Sequence, residues 1–265
     1  MPSNPYHPIE RGAPGRIGWR IHYFDEAGST QEVAREFAAQ GAAEGTVVIA
    51  DRQSAGRGRM GRSWHSPAGV NLYATIILRP KMALADVPRL SLVAGVAAAE
   101  ALERTAPGLV SLKWPNDVWL NRRKAGGIIS EAVTDANQQV VCVLVGIGLN
   151  INLSADDIPP DLRGKATSLR IACGHPCDRI AIADSLLSLF DSRYMETVTR
   201  GFEAVRARWQ SFSALTGKRV VVADGGQRES GVVVGLDSDG ALLLDTGAEV
   251  RRVLAGDVSI EGAYD

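Results

Sequence analysis

The stretch Gln53–Ser66, QSAGRGRMGRSWHS, sets Arg57, Arg59 and Arg62 among Gly56, Gly58 and Gly61. Glycines let a backbone approach a ligand closely, and guanidinium groups offer paired donors to phosphate oxygens. A loop of this composition suits a polyphosphate. Its like charges repel, so it should stay mobile until an anion arrives. The spacing Gly56-x-Gly58-x-x-Gly61 also matches the dinucleotide fingerprint, which requires its last glycine to open a helix. Here Pro67, Gly69 and a β-rich run, VNLYATIIL, follow instead. That reading fails on context.

A second block, Leu112–Glu131, reads LKWPNDVWLNRRKAGGIISE. Asn116-Asp117 after Trp114-Pro115 is a natural turn. Asp117 has three readings: a Mg²⁺ ligand, an acceptor for an amine proton, or an Asx-turn carboxylate. Lys124 precedes two glycines that leave room for a ligand. Only five of 29 basic residues are lysine (Lys81, Lys113, Lys124, Lys165, Lys218). A retained lysine offers the compact point charge that arginine lacks. In VGIGLNIN, the Asn150 amide can either read an adenine edge or fold back on its own turn. No Ser/His/Asp set is evident, which argues against a covalent enzyme intermediate. Cations, one carboxylate and amides suit electrostatic stabilisation of phosphate chemistry.

These groups need a scaffold, and the periodicities supply one. Residues 1–18 hold four prolines and read as a disordered tail. A strand follows, then a helix opened by the Ser29-Thr30-Gln31-Glu32 capping box and stopped at Gly41. Asp86 caps a helix with Pro88 in its first turn, and two amphipathic helices lie within residues 178–212. Between them lies a strand-rich block with tight turns. The fold class is α+β: a mixed or antiparallel central sheet flanked by helices. Beyond Leu215 the chain turns into short strands with Gly/Asp turns, a small β-barrel. The domains are therefore 1–18, 19–214 and 215–265.

Composition excludes several classes. With a formal net charge of −1 and pI near 6.4, no global field draws nucleic acid. No apolar run reaches membrane-spanning length, and the N-terminus lacks a signal core, which places the protein in the cytoplasm. CGHPC (Cys173–Cys177) lacks a distant fourth zinc ligand and reads as a surface turn.

Taken in order, GRGRMGRSW, KWPNDVWL, KAGGIISE and VGIGLNIN resemble the motifs of biotin protein ligases, from about Gly28 to the C-terminus. The resemblance implies a class II synthetase-like sheet with an SH3-like terminal barrel. It also implies a two-step reaction: ATP and biotin give biotinyl-5′-AMP, with Mg²⁺ assisting, and a lysine of a biotin carboxyl carrier protein then takes the biotin. By the same resemblance biotin lies against Ser29, Thr30, Gln31, Gln53, Arg57, Gly58, Arg59 and Lys124. The nucleotide lies against Arg57, Arg59, Arg62, Trp64, Lys113, Asn116 and Asn150. Lys124, Arg59 and Asp117 take the catalytic roles, with Asp117 the metal candidate. Family members commonly carry Ser-Thr-Asn where this chain has Ser29-Thr30-Gln31. Regulatory members carry an N-terminal helix-turn-helix; only a Pro-rich tail stands here, so a ligase without operator binding is expected. An edge strand offers a place for a homodimer to pair. The same-fold alternative is a lipoate or octanoate transferring enzyme, and the alternative of another class is a nucleic-acid-binding module.

Overall fold

Near-continuous runs of β-branched and aliphatic residues call for a sheet covered on both faces. The computed structural model describes residues 4–7, 17–224 and 226–261. Seven strands form the large sheet: β1 (Arg20–Ala27), β2 (Thr46–Gln53), β3 (Leu72–Leu78), β4 (Val110–Lys113), β5 (Asp117–Leu120), β6 (Arg123–Thr134) and β7 (Val140–Leu149). Their spatial order is β1-β2-β3-β7-β6-β5-β4. β1 and β2 run parallel, bridged by helix α1 (Thr30–Ala39), and the remaining pairs are antiparallel. All seven residues of β3 are buried, because helices cover both sides of it.

On one face Ala34 and Phe37 of α1 pack against Val48, Ile77 and Leu144. On the other lies α2 (Pro88–Glu103), a helix of small residues buried nearly all round. Flanking it are α4 (Arg179–Arg200) and α5 (Glu203–Ser211), after the short α3 (Leu169–Cys173). The start of α2 differs from expectation. Val87, not Asp86, is the N-cap; Pro88 needs no hydrogen-bond partner there, and Asp86 instead pairs with Arg89 at 3.0 Å.

The C-terminal segment forms a five-stranded antiparallel sheet from β8 (Arg219–Asp224), β9 (Gln227–Leu236), β10 (Leu242–Asp245), β11 (Val250–Val253) and β12 (Asp257–Ile260). Its apolar face joins the cluster around α2 rather than forming a separate core. The Trp114 indole N–H donates to the Gly240 carbonyl at 3.0 Å, and beside it the Leu112 N–H donates to the Phe212 carbonyl while the Leu112 carbonyl accepts from the Ala214 N–H.

The expected tail is only partly described. Residues 4–7 pack rather than dangle: Tyr6 is 2% exposed, 5.9 Å from the Tyr23 ring, and the Asn4 amide donates to the Ile21 carbonyl. An aromatic ring laid on strand β1 accounts for that order; residues 8–16 lie outside the described set. No helix among the described residues is long and apolar enough to cross a membrane.

Candidate active site

The site begins where side chains are missing. Gly127 of β6 faces Gly148 of β7 across the ladder, and Gly146 lies two residues away. A methyl group on Gly148 would sit 2.7 Å from the Trp64 indole nitrogen, and one on Gly127 3.1 Å from the same ring. One on Gly146 would meet the Gln31 amide oxygen at 2.6 Å. These three positions form a floor on which Trp64 and Gln31 rest. Above it opens a cavity of about 420 Å³. Every residue given a biotin, nucleotide, catalytic or metal role from the sequence lines this cavity. Sequence positions up to 121 residues apart, Ser29 to Asn150, are thereby gathered.

One part of the lining is a chain of hydroxyls and amides. Ser29 caps α1, accepting from the Gln31 N–H. The Thr30 N–H and hydroxyl both donate to the Gln53 carbonyl oxygen, at 2.9 and 3.2 Å. The Gln53 amide donates to Ser66, whose hydroxyl donates to the Trp64 carbonyl. Thr75, fully buried, lies within hydrogen-bonding distance of Thr30 (2.9 Å) and of the Gln31 carbonyl oxygen (3.1 Å). Gln31 also donates to the Leu144 carbonyl. Its amide is thus committed to β3 and β7. Thr75 and Ser66 escaped sequence reasoning; the one signal was a hydroxyl inside the apolar run LYATIIL.

The lining also holds the cations. Lys124 Nζ lies 2.7 Å from Asp117 Oδ1 and 5.5 Å from the Trp64 ring centre. Lys113 faces Asp117 across β4–β5, and burial pushes its ammonium below the ordinary lysine range. The Trp114–Pro115 peptide is cis, and the turn after it aims the Asn116 side chain at the loop. Arg59 donates to Asn116 Oδ1 at 3.1 Å, while Asn116 donates to the Ile128 carbonyl.

The Gly/Arg loop is folded down. Arg57 and Ser63 bridge, and the Trp64 N–H bonds the Gly56 carbonyl, closing a small hairpin. Arg57 pairs with Glu32 of α1, and Arg62 with Asp257 of β12. The expected repulsion among the arginines is met by carboxylates that the sequence did not connect to the loop. Glu32 and Asp257 were missed because only the fold brings them near.

Asn150 donates to the Thr167 carbonyl at 3.0 Å, and the Asn71 amide approaches its oxygen at 3.4 Å. The Trp64 indole N–H is buried and finds no partner among the described residues. Among those residues no group of three or more His, Cys, Asp or Glu side chains is placed to hold a metal. Cys173 and Cys177 are half-buried beside a left-handed Gly174, as a turn requires.

Fold and cavity together present a candidate ligase centre, lined by uncharged polar groups and by cations under a glycine-rich flap. Residues 23–150 match the Biotin/lipoate A/B protein ligase family, and residues 215–260 the Biotin protein ligase C terminal domain. The bifunctional ligase/repressor BirA of Bacillus spizizenii is 36% identical over 244 residues, 92% of this chain and 75% of that protein. The biotin--[acetyl-CoA-carboxylase] ligase of Mycobacterium tuberculosis is 35% identical, over 91% of this chain and 89% of that one. A solved structure of the Aquifex aeolicus biotin protein ligase in complex with biotin and ATP superposes with a TM-score of 0.80 at 31% identity, covering 91% of this chain and 98% of that one. The chain belongs to the biotin protein ligases of this family.

Proposed function

We propose that this chain activates biotin with ATP to biotinyl-5′-AMP, releasing pyrophosphate. It then transfers the biotinyl group to a lysine of a biotin carboxyl carrier protein in the cytoplasm. One observation carries the reading: a single cavity is lined both by the hydroxyls and amides of Ser29, Thr30, Gln31 and Gln53 and by Lys124, Asp117 and the arginines. The hydroxyls and amides match a ureido group, which offers one carbonyl and two N–H groups. The cations match a carboxylate meeting a triphosphate. Both reactants are anions, so the first requirement is to remove their repulsion.

In the first step a biotin carboxylate oxygen forms a bond to the α-phosphorus as the bond to the pyrophosphate breaks. Arg57 and Arg59 face the transferring phosphates once released from Glu32 and Asn116. Lys124 holds the carboxylate oxygen, and Asp117, already 2.7 Å from it, fixes the ammonium in place. In the second step Lys124 stabilises the carbonyl oxygen as an acceptor amine attacks, and Asp117 lies where that amine must orient. Trp64 covers the base and Asn150 stands beside it. Biotinyl-AMP is a mixed anhydride that water destroys, so the flap's second function is to exclude solvent. Mg²⁺ would fit this donor set as a companion of the nucleotide: Asp117 would hold it with substrate oxygens, and it would neutralise phosphate charge.

The division of labour follows: residues 19–214 carry the chemistry and 215–265 close the site. No part of this reaction uses nucleic acid, and a sheet edge is where a second copy would pair. The test is ATP-dependent transfer of labelled biotin to a purified carrier domain, run beside labelled lipoate. Label that requires ATP and appears with biotin alone supports the reading; transfer of lipoate and not biotin overturns it.

A further inference from the structure

Trp119 sits on β5, two residues beyond Asp117, and is 5% exposed. The ladder pairs Lys113 with Asp117 and Trp119 with Lys124, so these four side chains share the sheet face toward the cavity. Lys113 Nζ lies 5.3 Å from the centre of the Trp119 ring. The indole N–H is buried and has no acceptor among the described residues. A buried donor without a partner is unfavourable, and a leucine or phenylalanine would fill the space without that penalty. What tryptophan adds is the strongest π face available for a cation.

We propose that Trp119 is a positioning residue for adenylate formation: its indole face carries the Lys113 ammonium and holds it at the cavity wall, charged and aimed at the nucleotide phosphates. The proposal rests on the ligase reading above. Lys113 is the residue that needs such help: Asp117 pairs with Lys124 and Asp257 with Arg62, so the aromatic face is the support not shared with another cation.

The test is biotin-dependent exchange of pyrophosphate into ATP, comparing wild type, Trp119→Leu, Trp119→Phe, Lys113→Gln and the double variant Trp119→Leu/Lys113→Gln. Trp119→Leu should lose about five- to ten-fold in kcat/KM for ATP with the KM for biotin unchanged, and Trp119→Phe, which keeps a π face, should recover most of that loss. In the Lys113→Gln background Trp119→Leu should cause no further loss. The same fold-loss from Trp119→Leu in both backgrounds, or a phenylalanine variant no better than the leucine one, overturns the proposal. A wild-type chain that exchanges no pyrophosphate overturns the ligase reading instead, and this role with it.

Discussion

Lys124 and Arg59 differ in how the apoprotein holds them, and that separates their expected phenotypes. Lys124 is tied to a half-buried carboxylate, Asp117, whereas Arg59 reaches a neutral amide on Asn116. In the proposed reaction, removing either takes positive charge from the place where two anions meet. Lys124→Ala and Arg59→Ala should each lower pyrophosphate exchange by about 10²–10³-fold. Neither side chain belongs to the apolar core, so melting temperatures should stay within about 4 °C of wild type. Exchange at the wild-type rate in either variant would remove that residue from the mechanism. These two were legible in the sequence because cations among glycines have few structural uses. Gln31 was legible only as a position: its amide is spent on Thr75 and Leu144, so its influence on a ligand runs through Thr30. Thr75 was invisible for the opposite reason, since one hydroxyl in an apolar strand carries no pattern.

In the proposed reaction both steps depend on one element, the flap Ser54–His65 with its glycine floor. Its hairpin is closed by Gly58 and Trp64 backbone bonds, and Met60 at its tip is 72% exposed with a left-handed backbone, φ 56°. Few buried contacts hold it, which makes it an element of low local stability. Trp64 supplies the main one by lying flat on Gly127 and Gly148. Gly148→Ala would place a methyl 2.7 Å from the indole nitrogen and must displace the ring. That variant should be cut by trypsin at Arg57, Arg59 and Arg62 severalfold faster than wild type, and biotin with ATP should protect wild type far more than the variant. Equal cleavage rates would show that the ring does not hold the flap. The elements themselves followed their local signals: the Ser29 cap, the Gly41 stop and the β-rich runs all appear where the residues demanded. The cap of α2 did not, because Pro88 removed the need for Asp86. Sheet order was not legible either, since β3 and β7 pair across more than sixty residues and periodicity is silent on partners.

At the scale of the whole molecule the C-terminal sheet also reaches the cavity, where Asp257, Val258 and Ser259 form part of the lining. Its core is continuous with α2, and Trp114 donates to Gly240 beside the turn that presents Asn116 and Asp117. The small sheet therefore braces that turn from behind. It also reaches forward: Asp257 on β12 pairs with Arg62 of the flap and lies in the field of Lys113. Both partners are well exposed, so the ion pair should add at most about 1 kcal/mol to global stability. As a tether on a flap the same energy acts on ligand capture. Asp257→Ala should raise the KM for ATP by about two- to five-fold, with kcat little changed and melting temperature within about 2 °C of wild type. The difference from wild type should shrink in 1 M salt, where screening already weakens the pair. Steady-state kinetics at two salt concentrations check this. An effect confined to melting temperature would make the contact structural, whereas a loss in kcat would place Asp257 in the chemical step.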